Sequence, residues 1–541
     1  MIIEKLVIKN YKMFTDAIIQ MNSHINIFVG ENDSGKTTIL EALSIVLTGR
    51  LNGQNIGNKI CLDLFNNSIR TGFRDAIKRG ETPVTPQIII EAYIKNDGLL
   101  PPAVKAYQGT NNMLLEDAVG VRIQIGLNND YCGTYKQLVK EGKVTDIPIE
   151  LYKIEFCSFA RPEYYINVIS KKIAFIDTTK KDYGSVLSRF VSTSINSYLT
   201  DDQMTGLRLA YRSNRSDFIN DIAVQELNSK LKENNKFRDK IVSLNLREGD
   251  VDDWKNEMEI VLDGVPLENM GFGTQNMFKS EMVVQQNSDI DILVMEEPEN
   301  NLSYSNMSLL ISRLSEEKER QLFISTHSSY VANKMGLNSI QLVKDGVVKS
   351  FSSLNKDTYE FFTKLPGFNT LRVVLANKVI LVEGPADELI VQRAYLDYNG
   401  KLPIEDGIDV IAVSGVGFQR YCDVAKLINK KNTVVTDNDY NNQAVKDRYS
   451  GYGELVTLCV EEDNSLHTLE PSVLEANKLK FEDFRSIVYL GNDVNSKSPE
   501  DILRFMETDR NKTTWSFRVF MSEKRIQYPD YIMKAIGRKD E

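Results

Sequence analysis

The first third of the chain carries its apolar residues in short runs that are typical of strands. The run INIFV at residues 25–29 leads into a loop and then into TTILEALSIVL, whose apolar positions repeat at helical spacing. Similar short runs lie at residues 2–9, 87–94, 119–127 and 151–159 and are separated by clusters of Asn, Gly and Pro. The pattern predicts a strand, loop and helix at the start, followed by further strands.

The pattern changes twice after that. From about residue 184 to 246 the chain is polar with apolar residues three and four apart, which predicts an inserted helical subdomain. Continuous apolar runs return at 289–299 and 320–329, as in strands buried in mixed or parallel sheets. Residues 350–376 show little periodicity and are predicted to be a linker. Beyond them, KVILVEG, GIDVIAVSGVG and NTVVTDND alternate with helical stretches, which indicates a small α/β domain.

Composition restricts the class of protein. A chain of 541 residues exceeds the roughly 250–300 residues of a single core, so two or three domains are expected. No apolar run approaches the ~18 residues of a membrane span and the start lacks a signal-peptide layout, so we expect a cytoplasmic protein without a membrane partner. The five cysteines form no CxxC pair, which favours reduced thiols. The net charge of -10 argues against binding nucleic acid by charge alone, although 65 Lys and Arg allow local basic patches.

One segment has the pattern of a phosphate-binding loop. GENDSGKT, from Gly30 to Thr37, fits GxxxxGK[ST] and stands between a predicted strand and a predicted helix. In such a loop backbone N–H groups wrap the phosphates, the lysine reaches the β- and γ-phosphates and the threonine holds Mg²⁺. A later strand ends in two acids, one expected on the Mg²⁺ side and one expected to polarise the attacking water. A histidine at the end of the next strand is placed to sense the γ-phosphate. The predicted ATP-binding residues are Gly30, Asn32, Gly35, Lys36, Thr37, Thr38, Glu296 and His327, with Glu297 as a catalytic acid.

Four acids stand at the ends of two predicted strands in the last third of the chain. Glu383 ends one strand and Asp387 follows four residues later, so both face one point if a helix begins near Pro385. Asp437 and Asp439 are two residues apart, which predicts the same side of an extended segment. Clustered carboxylates repel one another unless a cation is bound, and paired divalent ions stabilise both oxygens of a phosphodiester displacement. The acids therefore predict a site for Mg²⁺ or Mn²⁺.

The N-terminal part resembles a known group of ATPases. VIKNYKMF, the phosphate-binding loop, MGFGTQNM, EEPENNL and STHSSYV are similar to the ATP-binding-cassette heads of chromosome-maintenance and recombination ATPases. In those heads a signature loop of one subunit completes the ATP site of another, so the resemblance implies a homodimer or higher homo-oligomer. Two segments depart from the pattern: Gly271-Phe272-Gly273 replaces Ser-Gly-Gly, and Asn300-Asn301 stands where relatives often carry Ala-His. ATP binding is therefore a safer expectation than rapid hydrolysis.

The C-terminal part resembles the Toprim fold of topoisomerases, primases and related nucleases. The order is Glu-Gly, then Gly415-Val416-Gly417, then Asp-x-Asp. A cassette head followed by Toprim is similar to the OLD (overcoming lysogenisation defect) nuclease family, as in Gabija-like or retron-associated anti-phage effectors. The resemblance implies that Lys512 in NKTTWSFRVF assists cleavage, with Lys524 and Lys534 nearby as alternatives. The implied metal ligands are Glu383, Asp387, Asp437, Asp439 and Glu470 (from HTLEPSVL), with Thr37 at the nucleotide, and the implied catalytic residues are Glu383, Asp437, Lys512 and Glu297.

The predicted fold is an α/β chain in which an ABC/SMC-like P-loop ATPase with a helical insert precedes a Rossmann-like Toprim domain. The predicted boundaries are 1–183 for the first part of the ATPase, 184–255 for the insert and dimerisation region, 256–349 for the second part of the ATPase, 350–376 for the linker and 377–541 for Toprim.

Two functions of different classes fit these features. The first is an ATP-regulated, metal-dependent DNA endonuclease that acts in anti-phage defence. The alternative is an ATP-dependent nucleic-acid-binding sensor or clamp that does not cut. The complete set of acids favours the enzyme, because a degenerate site would have lost at least one of them. A third hypothesis is a nuclease held silent by a partner, such as a helicase, or a reverse transcriptase with its RNA–DNA product. A topoisomerase would need a tyrosine nucleophile in a separate DNA-gate domain, for which the chain has no room.

Overall fold

The computed structural model describes residues 1–541 except 99, 162–168, 171, 178–194, 196–197, 235, 238–239, 242, 247–251, 287–289, 365–367, 414–416 and 539–541. The chain divides into two compact units. Unit 1 combines Met1–Ser170 with Ile311–Glu541, and unit 2 is Lys171–Leu310. The insert predicted at 184–255 falls in unit 2, and part of it lies outside the described residues.

Most strands are short, and the longer ones coincide with the apolar runs. In chain order they are β1 Ile3–Tyr11, β2 Phe14–Gln20, β3 Ile25–Val29, β4 Arg50–Leu51, β5 Gln54–Asn55, β6 Ile88–Ile94, β7 Gln108–Gly109, β8 Ala118–Leu127, β9 Tyr152–Ser158, β10 Ile173–Asp177, β11 Lys236–Phe237, β12 Lys240–Ile241, β13 Val261–Leu262, β14 Val265–Pro266, β15 Ile292–Glu296, β16 Gln321–Thr326, β17 Ile340–Lys344, β18 Val347–Ser350, β19 Lys378–Val382, β20 Ile408–Ala412, β21 Asn432–Val435 and β22 Val456–Cys459.

The helices follow the strands closely in the sequence. They are α1 Lys36–Thr48, α2 Asn67–Lys78, α3 Pro102–Lys105, α4 Cys132–Lys140, α5 Asp201–Ile219, α6 Ile222–Asn234, α7 Phe272–Gln286, α8 Tyr304–Glu316, α9 Ser329–Met335, α10 Lys356–Lys364, α11 Phe368–Leu375, α12 Pro385–Asn399, α13 Phe418–Leu427, α14 Asn442–Tyr449, α15 Leu469–Ala476, α16 Phe481–Val488, α17 Pro499–Glu507, α18 Asp509–Met521 and α19 Asp530–Ala535. The segment predicted to be a linker thus contains α10 and α11. No helix in the described part of the chain is long and apolar enough to cross a membrane.

The head portion of unit 1 contains two larger groups of strands besides the short β4–β5 pair. One is antiparallel, in the order β2-β1-β6-β8-β7 with β9 beside β8, and every residue of β6 is buried. In the other, β3 lies parallel to both β16 and β17, and β18 pairs antiparallel with β17. Because β3 has neighbours on both sides, its mostly apolar sequence suits a central strand. Its last residue, Val29, leads into the phosphate-binding loop and α1.

Unit 2 carries the other cassette-type segments. Its strands β10 and β15 are parallel, with Phe175 opposite Val294. Helix α5 begins with a capping box in which Thr200 and Gln203 exchange side-chain and backbone hydrogen bonds. This reciprocal cap explains why a polar segment starts a helix at this residue.

The C-terminal portion of unit 1 is built on a four-stranded parallel sheet in the order β20-β19-β21-β22. The chain passes from β19 to β20 on one side and then returns to β21 on the other side of β19. In open parallel sheets, ligands bind at the carboxyl ends of the strands where the strand order reverses. Here that point lies between β19 and β21, whose ends carry Glu383 and Asp437. A core around Trp515, which is 0% exposed, supports the sheet.

Candidate active sites at the ends of parallel strands

The phosphate-binding loop has the geometry of an anion site. Gly35 has φ 113°, and α1 starts at the next residue, so backbone N–H groups of the first turn face the loop. A Cβ at Gly30 would lie 2.2 Å from the carbonyl oxygen of Val343, so only glycine fits there. Ser34 is 5% exposed, and its Oγ has no hydrogen-bond partner among the described residues. A buried hydroxyl left without a partner fits a loop that binds phosphate oxygens.

Lys36 and the predicted sensor histidine lie at the same sheet edge. The Lys36 ammonium donates to the carbonyl oxygens of Gly30 at 2.9 Å and Glu31 at 2.7 Å, which places it over the loop. Thr326 pairs with Val29 across β16 and β3, so His327, one residue later, lies beside Gly30. Asn32 and Thr37 are exposed, and Thr38 is buried. The structure therefore places His327 next to the loop, and its role as a sensor of the γ-phosphate stays a prediction.

The signature and paired acids lie in unit 2. Gly271 directly precedes α7, and a Cβ at Gly273 would lie 2.5 Å from the carbonyl oxygen of Asn301. Glu296 ends β15, and Glu297 has φ 45°. The Asn300 amide donates to the Glu297 carboxylate at 2.7 Å.

These contacts give the two departures from the cassette pattern a physical role. The glycine in the signature allows the chain at Asn301 to approach closely, and Asn300 fixes the carboxylate predicted to polarise water.

The second site is at the reversal point of the four-stranded parallel sheet. Glu383 follows β19, and its Oε1 accepts hydrogen bonds from Thr436 Oγ1 at 2.6 Å and from the Asp437 backbone N–H at 2.9 Å. Asp387 accepts from the Gly384 N–H at 3.1 Å and so caps the start of α12. Glu470, in the first turn of α15, is 5% exposed. Three elements therefore position these acids.

The acids are close enough to change one another's protonation. Burial first, and then the charges of Glu383, Asp387, Glu470 and Asp439, raise the pKa of Asp437 to about 9. Burial first, and then Glu383 and Glu470, raise the pKa of Asp387 to about 7. All five acids that the sequence analysis assigned to the metal therefore interact electrostatically in one place.

The chemistry of this donor set fits a divalent cation, since clustered carboxylates gain most from a positive charge. Among the described residues, however, no group of three or more His, Cys, Asp or Glu side chains is arranged closely enough to hold a metal ion. Metal binding would therefore require side-chain movements that draw the carboxylates together.

One geometric expectation was wrong. Strand β21 ends at Val435, and Asp439 has φ 49°, so Asp437 and Asp439 do not share a side through strand alternation. Asn438 between them is 0% exposed and donates to the carbonyl oxygens of Glu461 and Asp463, which turns the chain. The acids come together through this turn.

The lysine predicted to assist cleavage does not contact the carboxylate cluster through an ion pair in the described part of the chain. Lys512 is exposed on α18, and within the described part of the chain it forms no ion pair with the acids. Lys524 instead pairs with Asp483 at 2.9 Å. Lys534, on α19, donates to the Leu458 carbonyl oxygen at 3.0 Å, next to the end of β22. The segment Gly415-Val416-Gly417 is described only at Gly417, which precedes α13.

Sequence reasoning missed two residues at this site. Thr436 holds Glu383, and its only signal is a position between an apolar strand and an acid. Tyr531 on α19 is 6% exposed, and its phenol pKa is raised first by burial and then by Asp437 and Asp387. No motif marks Tyr531, because its proximity depends on how α19 packs.

Comparison with known proteins agrees with this architecture. The AAA ATPase domain family matches residues 1–96 and 151–332, together more than half of the chain. The family described as overcoming lysogenization defect protein-like, TOPRIM domain, matches residues 374–439. A stretch of 50 residues is 44% identical to the DNA replication and repair protein RecF of Ruminiclostridium cellulolyticum, over 9% of this chain and 13% of that protein. The match thus spans a small part of this relative's length.

Solved structures that match this chain include an Smc head domain with an extended coiled coil, bound to the C-terminal domain of ScpA derived from Pyrococcus furiosus. Its sequence is 14% identical, and the match covers 68% of this chain and 100% of that chain. The TM-score is 0.36. The C-terminal region of the Xanthomonas campestris pv. campestris OLD protein is 22% identical, with 30% and 91% covered, at a TM-score of 0.24. From the two domain matches, the chain belongs to the AAA ATPase domain family and carries a C-terminal OLD-like Toprim domain, the combination of an OLD-family protein.

Proposed function

We propose that this protein is an ATP-binding, metal-dependent DNA endonuclease that hydrolyses phosphodiester bonds at the Toprim carboxylates. The observation that carries the proposal is the set of five acids around the reversal point of the parallel sheet, where two pKa values are strongly raised. A site that keeps so many carboxylates together at the cost of mutual repulsion is suited to a cation.

The side chains have separate tasks in this proposal. Glu383, Asp437 and the buried Glu470 would hold the first ion, and Asp387 and Asp439 would complete a second position. Bound Mg²⁺ or Mn²⁺ would supply a nucleophilic water at neutral pH and neutralise the leaving oxygen. Thr436 and the Asp437 N–H keep one oxygen of Glu383, Oε1, fixed by hydrogen bonds. Lys512 stays a candidate for stabilising the phosphorane charge, with Lys534 as the alternative.

The ATPase head would regulate cutting, and one contact supports a direct connection. Lys430 precedes β21 and is 2% exposed; its ammonium pairs with Glu31 Oε1 at 3.0 Å and donates to the Val374 carbonyl oxygen at 3.2 Å. Glu31 is the second residue of the phosphate-binding loop. Burial lowers the pKa of Lys430, and the Glu31 charge opposes that shift. A change at the loop on ATP binding would therefore reach β21, the strand that leads to Asp437.

Further parts of the proposal concern assembly and biological role. DNA is the proposed substrate, and we infer a cytoplasmic homodimer or higher homo-oligomer in which the insert at 184–255 contributes to the subunit contact. Anti-phage defence is the proposed setting, in which a helicase, or a reverse transcriptase with its RNA–DNA product, would act as the partner. These inferences rest on the domain combination.

The test is a cleavage assay with purified protein on plasmid and on linear DNA, in Mg²⁺, Mn²⁺ or EDTA, with and without ATP. The proposal expects cutting that depends on the divalent ion and changes with ATP. ATP-dependent DNA binding without cutting in any metal would contradict it and support the alternative of a sensor or clamp.

A further inference from the structure

A stacked aromatic pair borders the carboxylate cluster. The rings of Tyr440 and His467 lie 4.0 Å apart between centroids, with an interplanar angle of 17°. Tyr440 directly follows Asp439, and His467 stands three residues before Glu470. Tyr440 is 65% exposed, so most of its surface is open to solvent.

The backbone holds Tyr440 in a conformation that a large side chain rarely adopts. Asp439 has φ 49° and Tyr440 has φ 64°, both in the left-handed region. Buried Asn438 maintains this turn: its Oδ1 accepts from the Tyr440 N–H at 3.0 Å, and its amide donates to the carbonyl oxygens of Glu461 at 3.2 Å and Asp463 at 2.8 Å. Unfavourable conformations persist where the surroundings enforce them, and they concentrate at functional sites. The effect here is to present the tyrosine ring outward.

We infer that the Tyr440–His467 stack is a platform for a nucleobase of the strand that the carboxylates cut. This inference rests on the proposed nuclease function and assigns a binding role to residues outside the metal site. Asp439, next to Tyr440 in the chain, is exposed, and its negative charge repels phosphates. Stacking attracts the base itself, needs no positive charge and tolerates any sequence, since every base has a π-face.

The position of the platform limits which base it binds. Asp437 and Tyr440 are three residues apart, a span of at most about 10 Å. Stacked nucleotides rise about 3.4 Å each, so the bound base lies within about three nucleotides of the phosphate at the carboxylates. A base reaches a side-chain platform only when it leaves its own pair. The platform therefore favours single-stranded, frayed or distorted DNA near the cut.

The test measures binding of a fluorescent single-stranded oligonucleotide by anisotropy, with the full chain carrying Glu383→Gln to prevent cutting. Tyr440→Ala is expected to weaken binding about tenfold, and Tyr440→Trp to preserve it. Tyr131→Ala is the matched control, because Tyr131 is also exposed, at 45%, but belongs to the ATPase head. Oligonucleotides with one abasic position, moved along the strand, locate the bound base. When the abasic position is the one whose base stacks on the platform, Tyr440→Ala and the parent should bind the oligonucleotide with equal affinity.

Equal oligonucleotide affinity of Tyr440→Ala and the parent would overturn the platform. A loss of affinity in Tyr440→Ala that is the same wherever the abasic position stands would also overturn it, because a structural effect on the loop does not depend on a particular base. Absence of oligonucleotide binding by the parent would overturn it as well. Cleavage by the wild-type chain is measured separately. If the wild-type chain does not cut but its binding depends on Tyr440 at one base, the nuclease function is contradicted and the platform stands. If the wild-type chain cuts but its binding does not depend on Tyr440, the platform is contradicted and the nuclease function stands.

Discussion

Replacing Asp437 by asparagine should stabilise the metal-free protein, although it removes a residue proposed to be essential for cutting. In the folded chain the pKa of Asp437 is about 9, against an ordinary value of 3.8. Folding therefore favours the protonated form. Below pH 3.8 the acid is protonated in both states and costs nothing. As the pH rises toward 9, the unfolded state gains stability by releasing its proton, and the folded state loses relative stability.

The size of the effect follows from these values. The pH range from the ordinary pKa of 3.8 to pH 7 covers about 3 units, and each unit corresponds to about 1.4 kcal/mol. The raised pKa of Asp437 therefore lowers the free energy of unfolding at pH 7 by about 4 kcal/mol before screening. The Asp437 side chain is partly open to solvent, and screening reduces the figure. We therefore expect Asp437→Asn to raise the free energy of unfolding by about 2 kcal/mol at pH 7, and by less at pH 5. Added Mg²⁺ should reduce this advantage, because it favours the wild type.

The assay is denaturant unfolding in EDTA from pH 5 to 8, followed by the fluorescence of Trp515 in a Trp254→Phe background. Trp515 is fully buried in the Toprim core, and these two are the only tryptophans of the chain, so the signal reports this domain. Asp447→Asn, at an exposed aspartate on α14, is the matched control and should change stability by less than about 0.5 kcal/mol. A stability gain that is absent, or that does not grow with pH, would refute the electrostatic reasoning.

Three further predictions concern the head and the assembly. Lys36→Ala should abolish tight ATP binding without unfolding the chain, because the lysine donates to carbonyl oxygens of the loop where phosphate would bind; an unchanged affinity in a binding titration would remove this assignment. Lys430→Met should break the pair with Glu31 and reduce the effect of ATP on the cutting rate by about fivefold or more, while ATP affinity changes less; an ATP response equal to that of the wild type would show that the pair does not couple the sites. Deletion of residues 184–255 should give a monomer in light scattering, and a stable dimer would show that the head or Toprim regions suffice.

The elements at both sites were predictable from the sequence because their signals are local. A parallel strand buried on both faces is mostly apolar, as β3 and β19 are, and its carboxyl end is where ligand-binding residues stand. The pairing of Glu383 with the Asp437 region followed from this rule without knowledge of side-chain contacts. The phosphate-binding loop is contiguous, so its spacing was sufficient.

The remaining features depend on contacts between distant parts of the chain. Lys430 and Glu31 are 399 residues apart, and no periodicity connects them. Asn438 reads as a spacer between two aspartates, yet its buried amide makes the turn that replaces the expected extended segment. Residues 350–376 were predicted as a linker because their helices are short; α10 and α11 have nine and eight residues, too few for a clear repeat.

The central claim, that the Toprim carboxylates cut DNA while a separate site binds ATP, is tested most directly by Glu383→Gln. Glutamine keeps the shape and can still accept from Thr436 and the Asp437 N–H, so the fold should not change. DNA cleavage and ATP binding are measured on the same preparation, beside the wild type. We predict that cutting falls at least about 100-fold while ATP affinity stays unchanged. Robust cutting by Glu383→Gln, with wild-type ATP affinity, would contradict the account and leave the Toprim domain with a binding role.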